Sequence, residues 1–277
     1  MARWCSASRK STELPTQAEK AIAFRALHEG ATFLIPNAWD TGSARVLEGL
    51  GFVALATTSS GFAFTLGRRD GGAGLDQVAV HTSALDDATD LPVSVDLENG
   101  YGPDPDNAAR AIGRIAEAGA VGGSIEDYDP AGHLYERSHA VERIAAAVEA
   151  ARALPFQFML TARAENHIRG NPDLEDTIAR LLAFERAGAD VLYAPGLRTI
   201  EEIRTVREAV TRPINVLALP VLGTVAEVAD AGAQRISVGG QLTWVAVQAL
   251  VDAATTIRST GDLDVLTTSL DLDRWLG

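Results

Sequence analysis

A helix-periodic segment that ends at a glycine, followed at once by a short β-branched or apolar run, recurs along this chain. Four copies stand out: LEGLGFVALATTS (47–59), AEAGAVGGSIED (116–127), ERAGADVLYAP (185–195) and ADAGAQRISVGG (229–240). Glycine tolerates the left-handed conformation that closes a helix, and the apolar runs are of strand length. Strict alternation of helix and strand implies a parallel sheet covered by helices. That constrains the fold more than any composition figure does.

Filling in between the copies gives eight strand candidates, each followed by a helix candidate. The strands are expected at 32–35, 52–57, 92–96, 122–126, 157–162, 190–194, 214–219 and 235–239. They are short and poor in alternation, as strands buried on both faces should be. Thr16 and Glu19 suit a capping box ahead of the first helix, and Pro105 suits the first turn of another. Eight βα units in 277 residues favour a closed (β/α)8 TIM barrel, which averages about 250 residues, over an open doubly wound sheet. No G-x-G-x-x-G follows the first strand, which counts against the open sheet. The expected organisation is a flexible lead-in at 1–15, one catalytic barrel at 16–260 and a tail at 261–277.

Composition then removes several classes of function. The net charge of -13 argues against nucleic acid or an anionic membrane surface as a partner. No apolar run approaches the ~20 residues of a membrane helix, and the N-terminus lacks the apolar core of a secretory signal. Cys5 is the only cysteine, so neither an internal disulfide nor a cysteine metal cluster can form. A cytoplasmic enzyme is the plain expectation. The only lysines, Lys10 and Lys20, precede the first strand, which leaves no Schiff-base candidate inside a barrel.

A barrel of this kind works at the C-terminal ends of its strands. There the sequence delivers Trp39 after the first strand, Ser59, Ser60 and Gly61 after the second, and Asp96 and Glu98 after the third. The fourth delivers Glu126 and Asp127, the fifth Arg163 and Glu165, and the seventh contains Asn215. Acids converging from adjacent strands repel one another unless a hard cation or arginines sit among them. With no cysteine or paired histidine nearby, Mg²⁺ suits such a site better than Zn²⁺. Helix capping and pairing with arginine are the competing roles for these acids. Arg163 is the single cation expected in the pocket itself, placed to grip a substrate carboxylate or to make a salt bridge to Glu126 or Glu165. Ser59-Ser60-Gly61 suits either an oxyanion-binding turn or a plain one. His28 and His81 fall on helices, whereas His133, His139 and His167 fall near rim loops with a surface role expected.

Together these residues resemble the isocitrate lyase/phosphoenolpyruvate mutase superfamily. The resemblance is carried by IPNAWDTGSARVLEGLGF (35–52), TTSSG (57–61), GRRDG (67–71), VDLENGYG (95–102), GSIED (123–127), TARAEN (161–166) and AFERAGADVLYAPGL (183–197). It implies a barrel enzyme that uses Mg²⁺ (or Mn²⁺) to stabilise an enolate or enolpyruvate-like intermediate made by cleaving or forming C–C or P–C bonds. By the same resemblance the metal positions are Asp96, Glu98 and Glu126, supported by Asp70. Ser60 and Gly61 match the backbone that holds substrate oxygens, and Arg163 the arginine that anchors its other end. A homotetramer, a dimer of dimers exchanging the C-terminal helix near 242–258, is likewise implied.

One departure lies in the loop after the fourth strand. Isocitrate and methylisocitrate lyases carry K-[KR]-C-G-H there, with a catalytic cysteine, whereas this chain reads DYDPAGHLYERS (127–138). The loop lysine of the P–C bond enzymes is missing too. C–C chemistry on a small 2-oxo or 2-hydroxy dicarboxylate is therefore expected, of the oxaloacetate decarboxylase or substituted-malate lyase kind. Phosphonopyruvate hydrolase or mutase chemistry, and a barrel that only binds a dicarboxylate, are the alternatives. The loop is expected to act as a lid, with His133 the best-suited proton donor because imidazole titrates near neutrality.

Overall fold

A computed structural model describes residues 15–276; residues 1–14, which include Cys5, Lys10 and nearly all of the expected lead-in, and Gly277 lie outside the described residues. The strands are β1 (Phe33–Ile35), β2 (Asn37–Ala38), β3 (Leu55–Thr57), β4 (Val93–Asp96), β5 (Gly122–Glu126) and a short pair β6 (Tyr128–Asp129) and β7 (His133–Leu134). They continue as β8 (Met159–Arg163), β9 (Val191–Tyr193), β10 (Ile214–Leu217) and β11 (Arg235–Ser237). The helices begin with α1 (Gln17–Glu29), α2 (Thr41–Gly49), α3 (Ser59–Thr65), α4 (Leu75–Ala88), α5 (Pro105–Ala116) and α6 (Arg137–Arg152). After them come α7 (Leu174–Ala187), α8 (Ile200–Ala209), α9 (Val225–Asp230), α10 (Gln241–Thr260) and α11 (Asp273–Leu276).

The main sheet runs β1-β11-β10-β9-β8-β5-β4-β3-β2, and every pairing in it is parallel. Its two ends belong to one stretch of chain. Phe33 pairs with Arg235 while Asn37 pairs with Ala56, and Pro36 lies between them. Proline has no N–H to give a ladder, so the first strand breaks there and serves both neighbours. The sheet thereby closes into the expected eight-stranded barrel.

Local signals explain the elements. Thr16 and Glu19 close a reciprocal capping box on α1, with the Thr16 amide donating to Glu19 Oε2 at 2.8 Å. Pro105 sits in the first turn of α5. The glycine of each of the four repeats, Gly51, Gly119, Gly188 and Gly232, takes a positive φ of 90–104°. The main apolar core lies between sheet and helices, with Leu55, Ile112, Ile115, Ile125, Leu160 and Phe184 fully buried.

The barrel's interior carries polar side chains beside a second apolar cluster, Phe33, Ile35, Val121, Met159 and Val191 packed with Phe24 of α1. Arg235 on β11 donates to Thr161 on β8, a strand that is not its neighbour, so their hydrogen bond crosses the interior. Lys20 lies elsewhere: its ammonium donates to Asp86 and to the Thr89 carbonyl at 2.6 and 2.9 Å.

Candidate active site

The turn after β4 is strained. Glu98 and Tyr101 have φ of 50° and 63° and are the non-glycine residues with positive φ among the described residues. Such conformations cost about 1–3 kcal/mol each and persist only where the surroundings enforce them. Arg143 supplies the enforcement. It comes from α6, is 1% exposed, and donates to the carbonyls of Asn99, Gly102, Pro103 and Glu126. Gly100, between the strained pair, packs so closely on α5 that an added Cβ would lie 2.9 Å from Ala108 Cα.

The ends of β4, β5 and β8 then meet. Arg163 donates to Asp96 at 3.0 Å and lies 2.9 Å from both Glu126 and Glu165. Arg169 bonds Glu126 and Glu165 from the other side, each at 3.1 Å, and its guanidinium stacks 4.0 Å over the Tyr128 ring. Of the two sequence-based roles for Arg163, the salt bridges are the one this geometry displays. Burial pushes the Glu126 carboxyl well above its usual range despite Arg163. Burial, and then the charges of Asp96 and Asp70, raise Glu98 to about 8.

These groups border a cavity of about 250 Å³ inside the mouth of the barrel. Ser59, Ser60, Asp70, Asp96, Glu126, Arg163 and Asn215 all line it. Four expected residues do not. Gly61 is buried, with its amide spent on the Thr58 hydroxyl at 3.3 Å, so it has no N–H for a substrate oxygen. Trp39 packs behind it, where a Cβ on Gly61 would meet Trp39 Cβ at 2.9 Å. Glu98 turns its carboxylate towards Gly71, beside Asp70. His133 lies exposed on the β6–β7 hairpin, edge-on to Tyr135, so the structure gives no support to its expected role as proton donor. Tyr135 is no substitute, because its hydroxyl is taken by Asp129 and Asn99, both at 3.0 Å.

The sequence reading missed Arg169, Tyr193 and Arg235 among the lining residues. It expected Arg163 as the pocket's single cation, and Arg169 corrects that. Arg169 follows β8 by six positions, too far for a reading confined to strand ends.

The donor set fits a hard divalent cation. Asp70, Asp96, Glu98 and Glu126 offer oxygen alone, and two of them are forced towards protonation by burial and mutual repulsion. Among the described residues, no three histidine, cysteine or acidic side chains gather closely enough to cage a metal unaided. Mg²⁺ keeps several waters and needs only one or two direct carboxylates.

Fold and rim together define a (β/α)8 enzyme built around acids and the arginines that pair with them. The sequence pattern of phosphoenolpyruvate phosphomutase matches residues 24–258, and the chain belongs to that family, within the isocitrate lyase/phosphoenolpyruvate mutase superfamily of lyases. It is similar to a Burkholderia cenocepacia protein assigned only to the lyase/mutase class. The two share 49% identity with a TM-score of 0.90, over 94% of this chain and 96% of that one. A 2-methylisocitrate lyase of Halalkalibacterium halodurans is 32% identical over 72% of this chain and 67% of its own length. An oxaloacetate decarboxylase of Rhodopseudomonas palustris is 31% identical, with shares of 69% and 68%. No helix among the described residues is long and apolar enough to cross a membrane.

Proposed function

We propose that the chain is a Mg²⁺- or Mn²⁺-dependent lyase that cleaves a C–C bond of a small 2-oxo or 2-hydroxy dicarboxylate through an enolate. The observation that carries this reading is the acid rim, Asp96 and Glu126 held around Arg163 at the mouth of a 250 Å³ cavity. A volume of that order admits a small acid and little more. Bound among Asp96, Glu98 and Glu126, with Asp70 beside them, the cation would polarise the substrate's 2-oxygen and stabilise enolate charge.

The chain's own groups do the rest. Arg163 holds the acids in register with all three of its nitrogens and offers a substrate carboxylate an N–H that they leave over. Ser59 and Ser60 border the oxygen side, where the Ser59 amide already donates to Asp96 at 3.3 Å. The β6–β7 hairpin lies beside the rim through the contact of Tyr128 with Arg169, and supplies no cysteine and no inward histidine. Decarboxylation of oxaloacetate asks least of such a loop, because CO₂ leaves without protonation by the protein. A substituted-malate lyase is the next activity in order.

One observation favours a second reading. Arg169 gives the rim a second cation, which a doubly charged phosphonate would use, so P–C cleavage stays in the test. The experiment is a panel of oxaloacetate, methylisocitrate, dimethylmalate and phosphonopyruvate with Mg²⁺, read for pyruvate and phosphate. Pyruvate from a carbon acid supports the proposal. Phosphate from phosphonopyruvate alone would replace it, and dicarboxylate binding without turnover would leave only a binding barrel.

A further inference from the structure

The floor of the cavity carries a charge that the rim does not answer. Arg235 opens β11, is 5% exposed and lines the same cavity as Asp96 and Arg163. Its Nε donates to Asn215 Oδ1 at 2.8 Å, its Nη2 donates to Thr161 Oγ1 at 2.9 Å, and its Nη1 lies 3.4 Å from His28 Nε2. None of these partners carries negative charge. His28, driven down to about 3 by burial and by Arg235 itself, is a neutral ring. Burial lowers Arg235 to about 10, which leaves it cationic at neutral pH.

Other buried guanidiniums are answered. Arg163 and Arg180 each have carboxylates within 3.0 Å, and Arg143 spends its donors on four carbonyls. Arg235 has no carboxylate within ion-pair distance among the described residues. A guanidinium has five N–H groups, so donors remain beyond the three engaged. An isolated buried charge is costly unless something pairs with it. The cavity is the route by which a partner reaches it.

We propose that the cavity floor is a carboxylate-binding subsite in which Arg235 takes the end of the substrate remote from the acid rim. This rests on the reading that the rim holds the reacting end. Thr161, which Arg235 touches, and Arg163, at the rim, are two residues apart on one face of β8. That separation is about 6.6 Å along a strand, the length of a short dicarboxylate. Tyr193, level with Arg163 on the neighbouring β9, also lines the cavity, its ring 5.2 Å from the Arg163 guanidinium. The subsite therefore selects short dicarboxylates over monocarboxylates.

The test begins with metal-free protein and sodium formate as the probe. Formate raises the melting temperature of the wild type, Arg235→Lys keeps part of the response, and Arg235→Gln loses it, with apparent affinity down about tenfold or more. Equal responses in wild type and Arg235→Gln overturn the subsite. With oxaloacetate and Mg²⁺, Arg235→Gln raises KM by a similar factor and changes kcat less. A lost formate response with unchanged KM overturns the assignment to substrate, because the anion there is then a free one. If the wild type turns over no carbon acid, the lyase reading fails and the formate comparison still decides the subsite. Should Arg235→Gln not fold, wild-type crystals soaked in bromide decide: an anomalous peak beside the guanidinium supports the subsite, and its absence overturns it.

Discussion

Arg163 sits among Asp96, Glu126 and Glu165, so its removal would leave three acids with only Arg169 to answer them. Breaking a buried ion pair from one side costs about 3–5 kcal/mol. Arg163→Met is expected to lose stability of that order in urea melts, along with its activity; undiminished stability would show the network to be dispensable. Asp96→Asn is the opposite case. It leaves Arg163 paired with Glu126 and Glu165 and relieves the repulsion on Glu98, so the fold should hold while divalent-dependent activity falls at least about 100-fold. Full activity of that variant in EDTA would remove the metal from the proposal. His133→Asn is expected to leave turnover unchanged, since the ring is exposed outside the cavity. A clear fall in rate would mean that the hairpin closes inward during the reaction. Asp96, Glu126 and Arg163 were legible in the sequence because each ends an apolar run, where a barrel keeps its chemistry. Arg235 was not. It opens its strand, where a strand-end search does not look, and only the fold shows its side chain crossing the interior.

At the scale of single elements, α4 carries a buried histidine with a measurable consequence. His81 stacks on Phe62 with centroids 4.0 Å apart and planes 14° apart, and its Nε2 has no hydrogen-bond partner. Burial lowers it to about 4, with Asp40 acting weakly the other way. The folded chain therefore binds a proton here less readily than the unfolded chain, whose histidines titrate near 6.5. The stability this supplies is complete above about pH 6.5 and is lost as pH falls towards 4, about 3 kcal/mol in all. His28 acts in the same direction, so the informative measurement is a difference. Urea melts from pH 7 to 4 are expected to show a shallower decline for His81→Leu than for the wild type; parallel declines would contradict the buried, neutral ring. The sequence placed both histidines on helices without showing that either is buried. All eight barrel strands were legible, since each is an apolar run following a helix stop or a turn. The break at Pro36, the β6–β7 hairpin and α11 were not, because two-residue strands and a four-residue helix carry no periodicity. What positions α11 is tertiary: the Trp275 ring covers Gly49, where a Cβ would lie 2.4 Å from Trp275 Cε3.

For the molecule as a whole, α10 is the element out of place. It has 20 residues, yet Thr243 is its one buried side chain, and Trp244, Val245, Leu250 and Val251 are 41–67% exposed. A helix following the last strand of a barrel ordinarily lies against its outer wall. Between α2 and α9 that wall instead has an apolar groove of about 460 Å³, bordered by Phe33, Leu50, Phe52, Val53 and Val225. An apolar helix face and an apolar groove on one chain, neither covering the other, suit reciprocal exchange between two copies, and exchange closes the pair symmetrically. The resemblance to the superfamily implies the same arrangement, doubled into a tetramer. The wild type is therefore expected to sediment as a tetramer at micromolar concentration. Leu250→Asp combined with Val251→Asp places two charges on the exchanged face and leaves the barrel interior alone. It should sediment as a folded monomer with a native circular dichroism spectrum. A monomeric wild type would end the exchange model, and a variant that stays tetrameric would locate the interface away from this face of α10.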